Sequence, residues 1–79
     1  MLDEALEHLV KGIVDHPDDV DVRMRNGRRG KSLDVRVHPD DMGRVIGRGG
    51  RTATALRTVI TALNDDRAVR IDFLDVAER

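Results

Sequence analysis

The sequence predicts one α+β domain over residues 1–79, a three-stranded mixed sheet covered on one face by three helices in the order αββααβ. Three observations predict it. Leu2, Ala5, Leu6, Leu9, Val10, Ile13 and Val14 recur at the i, i+3, i+4, i+7 spacing of an amphipathic helix. Three short segments alternate apolar and polar residues with period two, as half-buried strands do. Finally, 79 residues without a cysteine allow one small core held by packing alone, with neither disulfides nor thiolate metal sites to staple it.

Taken in order, the first helix is expected to end near His16, because Pro17 disfavours helical geometry in the residue before it and donates no backbone hydrogen bond. Val20, Val22 and Met24 alternate with Asp21, Arg23 and Arg25. Leu33, Val35 and Val37 alternate with Asp34, Arg36 and His38. The connection from Asn26 to Lys31 is short enough to make the two strands an antiparallel hairpin. Pro39, Asp40 and Asp41 then place a proline and two acids where a helix start favours them, followed by Met42, Val45 and Ile46 as a short apolar face that stops at Gly47. A longer helix runs from about Arg51 to Asn64. Its residues, placed 100° apart, divide into an apolar half (Ala53, Ala55, Leu56, Val59, Ile60, Ala62, Leu63) and a polar half (Arg51, Thr54, Arg57, Thr58, Thr61). Val69, Ile71 and Phe73 form the third strand. It follows the second through a helical crossover, which makes that pair parallel and puts the second strand in the centre.

The formal net charge is -1, but the charge is unevenly spread. Seven acids face the single Lys11 between Met1 and Asp21, whereas Arg23, Arg25, Arg28, Arg29 and Lys31 lie in a stretch without acids. A second acid-free stretch, Met42 to Asn64, carries Arg44, Arg48, Arg51 and Arg57. A local basic surface is therefore compatible with a near-zero total. No apolar run approaches the roughly 18 residues of a membrane span, and the acidic N-terminus lacks the basic and apolar regions of a signal peptide. These features predict a soluble, cytoplasmic protein without membrane attachment. His8, His16 and His38 lack zinc-ligand spacing, there is one serine (Ser32), and no acid and base are visibly paired, so no metal, cofactor or enzymatic activity is expected.

The segment Val45-Ile46-Gly47-Arg48-Gly49-Gly50-Arg51 carries the chemistry. Glycine ends one helix and opens the next, so the chain can turn sharply with its backbone bare. Exposed N–H groups at a helix start attract phosphate, and Arg44, Arg48 and Arg51 stand beside that point. The lysine followed by Ser or Thr of a nucleotide-binding P-loop is absent, and Gly47 to Thr52 does not complete a dinucleotide fingerprint.

Val-Ile-Gly-Arg-Gly-Gly between two helices resembles the Gly-x-x-Gly loop (47–50) of KH domains, which clamps the backbone of about four nucleotides. With a helix and strand before the core, the element order is similar to the type II, mostly bacterial, variant. His16 to Val22 (HPDDVDV), Pro39 to Gly50 (PDDMGRVIGRGG) and Arg51 to Thr58 (RTATALRT) resemble the small single-domain KhpA family over nearly the whole chain. The resemblance implies sequence-tolerant binding of single-stranded RNA by Gly47, Arg48, Gly49 and Gly50. It further implies an RNA chaperone in post-transcriptional control, acting as a homodimer or with a larger KhpB/Jag-type KH protein, and linked to cell-wall growth and cell length. KH domains hold bases in an aliphatic groove; with Phe73 the only aromatic, modules built on stacking platforms are disfavoured. By position, Val45, Thr54, Arg36 and His38 border such a groove, although Val45 also fits the short helix's apolar face. Many KH domains carry a bulky aliphatic residue where this chain has Ala53, and Leu56 is expected to supply the missing bulk. The alternative from another class is a protein-interaction module whose surface mainly mediates dimerisation.

Overall fold

An apolar stripe and a glycine define the first helix, α1 (Leu2–Lys11), in the computed structural model, which describes residues 1–28, 30–65, 67 and 69–76. Leu6 and Val10 are wholly buried, with Leu2, Ala5 and Leu9 packed beside them. The helix ends sooner than Pro17 alone predicts. Gly12 caps it, its N–H reaching the carbonyls of His8 and Leu9 at 3.3 and 3.2 Å. Beyond it, the N–H groups of Asp15 and His16 are donated to the Asp41 carboxylate at 3.1 and 2.9 Å. A tertiary acceptor replaces the helical one at the point where glycine weakens the helix.

The strands are β1 (Asp21–Gly27), β2 (Gly30–Val37) and β3 (Arg70–Asp75), in the sheet order β1-β2-β3. β1 and β2 are antiparallel. β2 and β3 are parallel from Ser32 opposite Arg70 to Val37 opposite Asp75. The mixed sheet with β2 at its centre is the predicted one. The hairpin is tighter than expected, since Asn26 pairs with Lys31 and Gly27 with Gly30, so the ladder runs on into the basic segment; Arg29 lies outside the described residues.

The pleat sorts the side chains. Leu33, Val35 and Val37 on β2 are wholly buried and, with Val20, Val69 and Ile71, meet the helices. The alternate positions make a charged outer face of Asp21, Arg23 and Arg25 on β1, Asp34 and Arg36 on β2, and Arg70 and Asp72 on β3. On it Arg23 pairs with Asp21 at 2.9 Å, Arg25 with Asp34 at 3.0 Å and Arg70 with Asp72 at 3.2 Å.

On the covered face lie α1, the short α2 (Met42–Ile46) and α3 (Arg51–Leu63). Only one edge of α3's apolar half is inside: Ala53, Leu56 and Ile60 are buried, and Leu56 and Ile60 belong to the core cluster. Ala55, Val59, Ala62 and Leu63 remain exposed, Val59 at 44% and Leu63 at 59%. Among the described residues no helix is long and apolar enough to cross a membrane.

Candidate nucleic-acid interface

Between α2 and α3 the chain turns through three residues of positive φ. Gly47 closes α2 by donating its N–H to the Gly43 carbonyl at 2.9 Å, then leaves at φ 77°, ψ 171°, a region essentially confined to glycine. A Cβ there would run into the Thr52 side chain and lie 2.8 Å from the Thr52 nitrogen, so both conformation and space require glycine. The Gly50 N–H returns to the Gly47 carbonyl at 3.1 Å. Gly49 (φ 63°) and Gly50 (φ 78°) are left-handed with open space around them. Arg48 is the one loop residue with a side chain, and it is exposed, as are Gly49 and Arg51.

No side chain caps α3, so the positive end of a 13-residue helix opens beside Arg48 and Gly49. Arg48, Arg51 and Arg57 form no ion pair among the described residues. Thr54, one turn into α3, is exposed as well. The Gly47, Gly50 and Arg51 N–H groups are bonded within the turn, so the N–H groups of Arg48 and Gly49, a helix N-terminus and unneutralised arginines are what make a surface for a phosphate chain.

Other expected site residues are placed elsewhere. Val45 has no exposed surface and belongs to the core, since the short α2 has only one face to bury and Val45 is at its centre. Arg36 lies between the buried Val35 and Val37, so the pleat points it to the outer face, away from the helical layer that carries the glycine loop. There it lines a concavity with Asp18, Asp19, Val20, Asp21, Arg23 and Val76. His38 precedes α2 at a 3₁₀ turn (Pro39–Asp41), its Nδ1 accepting the Asp40 N–H at 3.0 Å. Arg44 is exposed on α2 but pairs with Asp15 at 3.1 Å.

The centre of this second cluster is Asp41, which sequence reasoning treated as helix-start charge. Its carboxylate is 1% exposed and accepts the Asp15 and His16 N–H groups and, at 2.9 Å, the His16 Nδ1–H. Burial opposes ionisation, but the bonds from Asp15 and from the ring and backbone of His16 outweigh it and hold the carboxyl below its usual range. The same hydrogen bond, donated by the His16 ring to Asp41, raises the His16 pKa against the effect of burial. The imidazoles of His16 and His38 stack 3.9 Å apart at 12°. A sequence signal existed: His-Pro-Asp-Asp occurs twice, at 16–19 and 38–41, and each copy forms a 3₁₀ turn whose histidine meets the other. His16, His38 and Asp40 thereby lie within 4.8 Å of one another, nearness that chain spacing concealed. Asp41 and the Asp40 N–H occupy their Nδ1 atoms, and near-parallel rings share no in-plane direction for one ion. The cluster is a clasp holding the α1–β1 connection against the start of α2.

The family described as "KhpA/KhpB, KH domain" matches residues 3–73. A Streptomyces coelicolor protein named "RNA-binding protein KhpA" is 70% identical over 76 residues, covering 96% of this chain and 95% of the relative. One of the same name from Leifsonia xyli is 64% identical over 75 residues, covering 95% and 99%. Another, from Halalkalibacterium halodurans, is 47% identical over 72 residues, covering 89% and 95%. No solved structure matches the chain. A glycine-turned loop between α2 and α3 on a three-stranded mixed sheet, and a match over almost the whole length, have one reading: the chain belongs to the KhpA/KhpB KH-domain family.

Proposed function

We propose that this chain binds single-stranded RNA without strong sequence preference, gripping the phosphates of about four nucleotides at Gly47, Arg48, Gly49 and Gly50. Arg51, Thr54 and Arg44 flank that grip, and Arg44 turns from Asp15 to phosphate when RNA is present. The observation that carries this reading is the loop itself, whose three positive-φ glycines turn the chain so that the Gly49 backbone and the free Arg48 stand exposed at an uncapped helix start. The relatives' name, RNA-binding protein, supports it. In our reading the protein works in the cytoplasm, without catalysis, as an RNA chaperone in post-transcriptional control with a KhpB/Jag-type partner, and through it affects cell-wall growth and cell length.

The double change Arg48→Asp, Gly49→Asp tests the grip. Gly49 sits in open space at φ 63°, where Asp is among the better tolerated residues, so folding should survive at a cost of about 1–2 kcal/mol. Binding of a fluorescent single-stranded RNA should be lost, because two carboxylates stand where phosphate lies. An unaltered affinity in the folded variant would place RNA elsewhere and favour the interaction-module reading. That second reading also has an observation behind it, the exposed apolar stripe of Ala55, Val59, Ala62 and Leu63 along α3. We assign this stripe to pairing with a second KH domain, of this chain or of the larger partner.

A further inference from the structure

We propose that His38 is a proton-operated catch on α2: its neutral ring holds the turn before α2 in the shape that presents the glycine loop, and protonation releases that hold and weakens the grip on RNA. This rests on the RNA-binding reading above and deepens it by giving that site a regulator. The His38 Nδ1 atom accepts the Asp40 N–H at 3.0 Å, so this nitrogen carries no proton in the observed arrangement. A proton added there turns the acceptor into a donor, and the Asp40 N–H loses its partner. Imidazole is the side chain suited to such a change near neutral pH.

Hydrogen bonds run on from this one to the loop. His38 caps the 3₁₀ turn, its ring taking the Asp40 N–H and its carbonyl the Asp41 N–H at 2.8 Å. The Met42 N–H returns to the Pro39 carbonyl, and the Gly47 N–H to the Gly43 carbonyl at 2.9 Å. Between them α2 is five residues long, or about one and a half turns. Its Val45 is fixed in the core, so a shift at the start of this short helix is answered at Gly47, its other end.

The charged groups around the ring decide what replaces the lost bond. On its own turn, the Asp40 carboxylate stands 3.7 Å from Nδ1 and takes the new N–H, so a backbone contact is exchanged for a side-chain one. From the α1–β1 connection, the His16 ring stacks on His38 at 3.9 Å, hydrogen-bonded to the buried Asp41 and with Asp19 acting on it through space. From α2, Arg44 reaches Asp15 at 3.1 Å. The Asp41 bond favours the positive form of His16, whose charge repels a second positive ring in the stack. Asp19, Asp40 and Asp41 offset part of that repulsion, so protonation reshapes the turn without unfolding the domain.

The test uses the whole chain and the variant His38→Asn, whose side-chain oxygen also accepts a backbone N–H at a helix cap and takes no proton. Between about pH 7.5 and 5.5, binding of a fluorescent single-stranded RNA should weaken about threefold more in the parent than in the variant, the effect of one hydrogen bond of ordinary net strength. Equal pH dependence in the two proteins would overturn the proposal. So would a parent that gains affinity over the variant on acidification, the mark of a positive His38 touching phosphate directly. NMR spectra of the RNA-free parent give a second measure: the amide signals of Asp40 and Gly47 should move with the titration of the His38 ring, and not with that of His16 or His8. Amides that ignore His38 would overturn the catch even if the variant failed to fold. Because this measurement needs no RNA, a parent that binds RNA at neither pH would refute the function proposed above while the spectra still judge the catch.

Discussion

Gly47 and Gly50 look alike in the sequence and differ in what they tolerate. At Gly47 a side chain meets both a glycine-only backbone conformation and the Thr52 nitrogen 2.8 Å away, so Gly47→Ala should cost about 3 kcal/mol or more. At Gly50 only the left-handed φ opposes it, and Gly50→Ala should cost about 1 kcal/mol; urea denaturation of the two variants measures the difference. His16 and Asp41 predict a pH dependence. The His16 pKa is raised from its ordinary 6.5, so its contribution is fully present below about pH 6.5 and is lost as the pH rises through the folded value. The Asp41 pKa is lowered from 3.8, so its contribution is present above that value and is lost as the pH falls through the folded one. Thermal melts should therefore show the parent more stable at pH 6 than at pH 8, with the difference reduced in His16→Gln. An equal pH 6 to pH 8 difference in both proteins would show that His16 is not its source.

At the scale of elements, α3 has one apolar half by periodicity and two faces in the fold. Ala53, Leu56 and Ile60 are buried, whereas Ala55, Val59, Ala62 and Leu63 are not. An unpaired charge at Leu56 has no water to reach, and its burial costs several kcal/mol in a domain whose whole stability is about 5–15 kcal/mol. Leu56→Asp should thus abolish the cooperative melt seen by circular dichroism. Val59→Glu with Leu63→Glu should leave folding intact and, if the exposed stripe pairs with a second KH domain, reduce the mass seen by light scattering from dimer to monomer. Helix periodicity told which residues are apolar on α3, but not how far the neighbouring elements extend to cover them. The end of α1 differs from its local signal for a related reason: Pro17 marks a stop near His16, while Gly12 and the buried carboxylate of Asp41, 26 residues beyond Asp15, end the helix earlier.

For the whole molecule, the electrostatic prediction is that binding follows local charge rather than the net charge of -1. Arg48→Ala, which removes one unpaired cation from the loop, should flatten the salt slope for a short RNA by about 0.7, with little change in base preference; an unchanged slope in a titration from low to moderate salt would remove Arg48 from the contact. By itself the sequence determined the element order, the mixed sheet with β2 at its centre and the glycine loop between two helices. Each rests on local rules: alternation along Leu33, Val35 and Val37, the helical spacing of α1 and α3, and glycines at 47, 49 and 50, where no other residue turns the chain so easily. Only the tertiary structure decided which side chains share a surface. It sent Val45 into the core and Arg36 to the far side of the sheet, tied Arg44 to Asp15, stacked His16 on His38, and buried Asp41 beneath a loop distant in sequence. Local preferences act over a few neighbouring residues, whereas burial and hydrogen bonding across the fold depend on which segments the sheet and helices bring together.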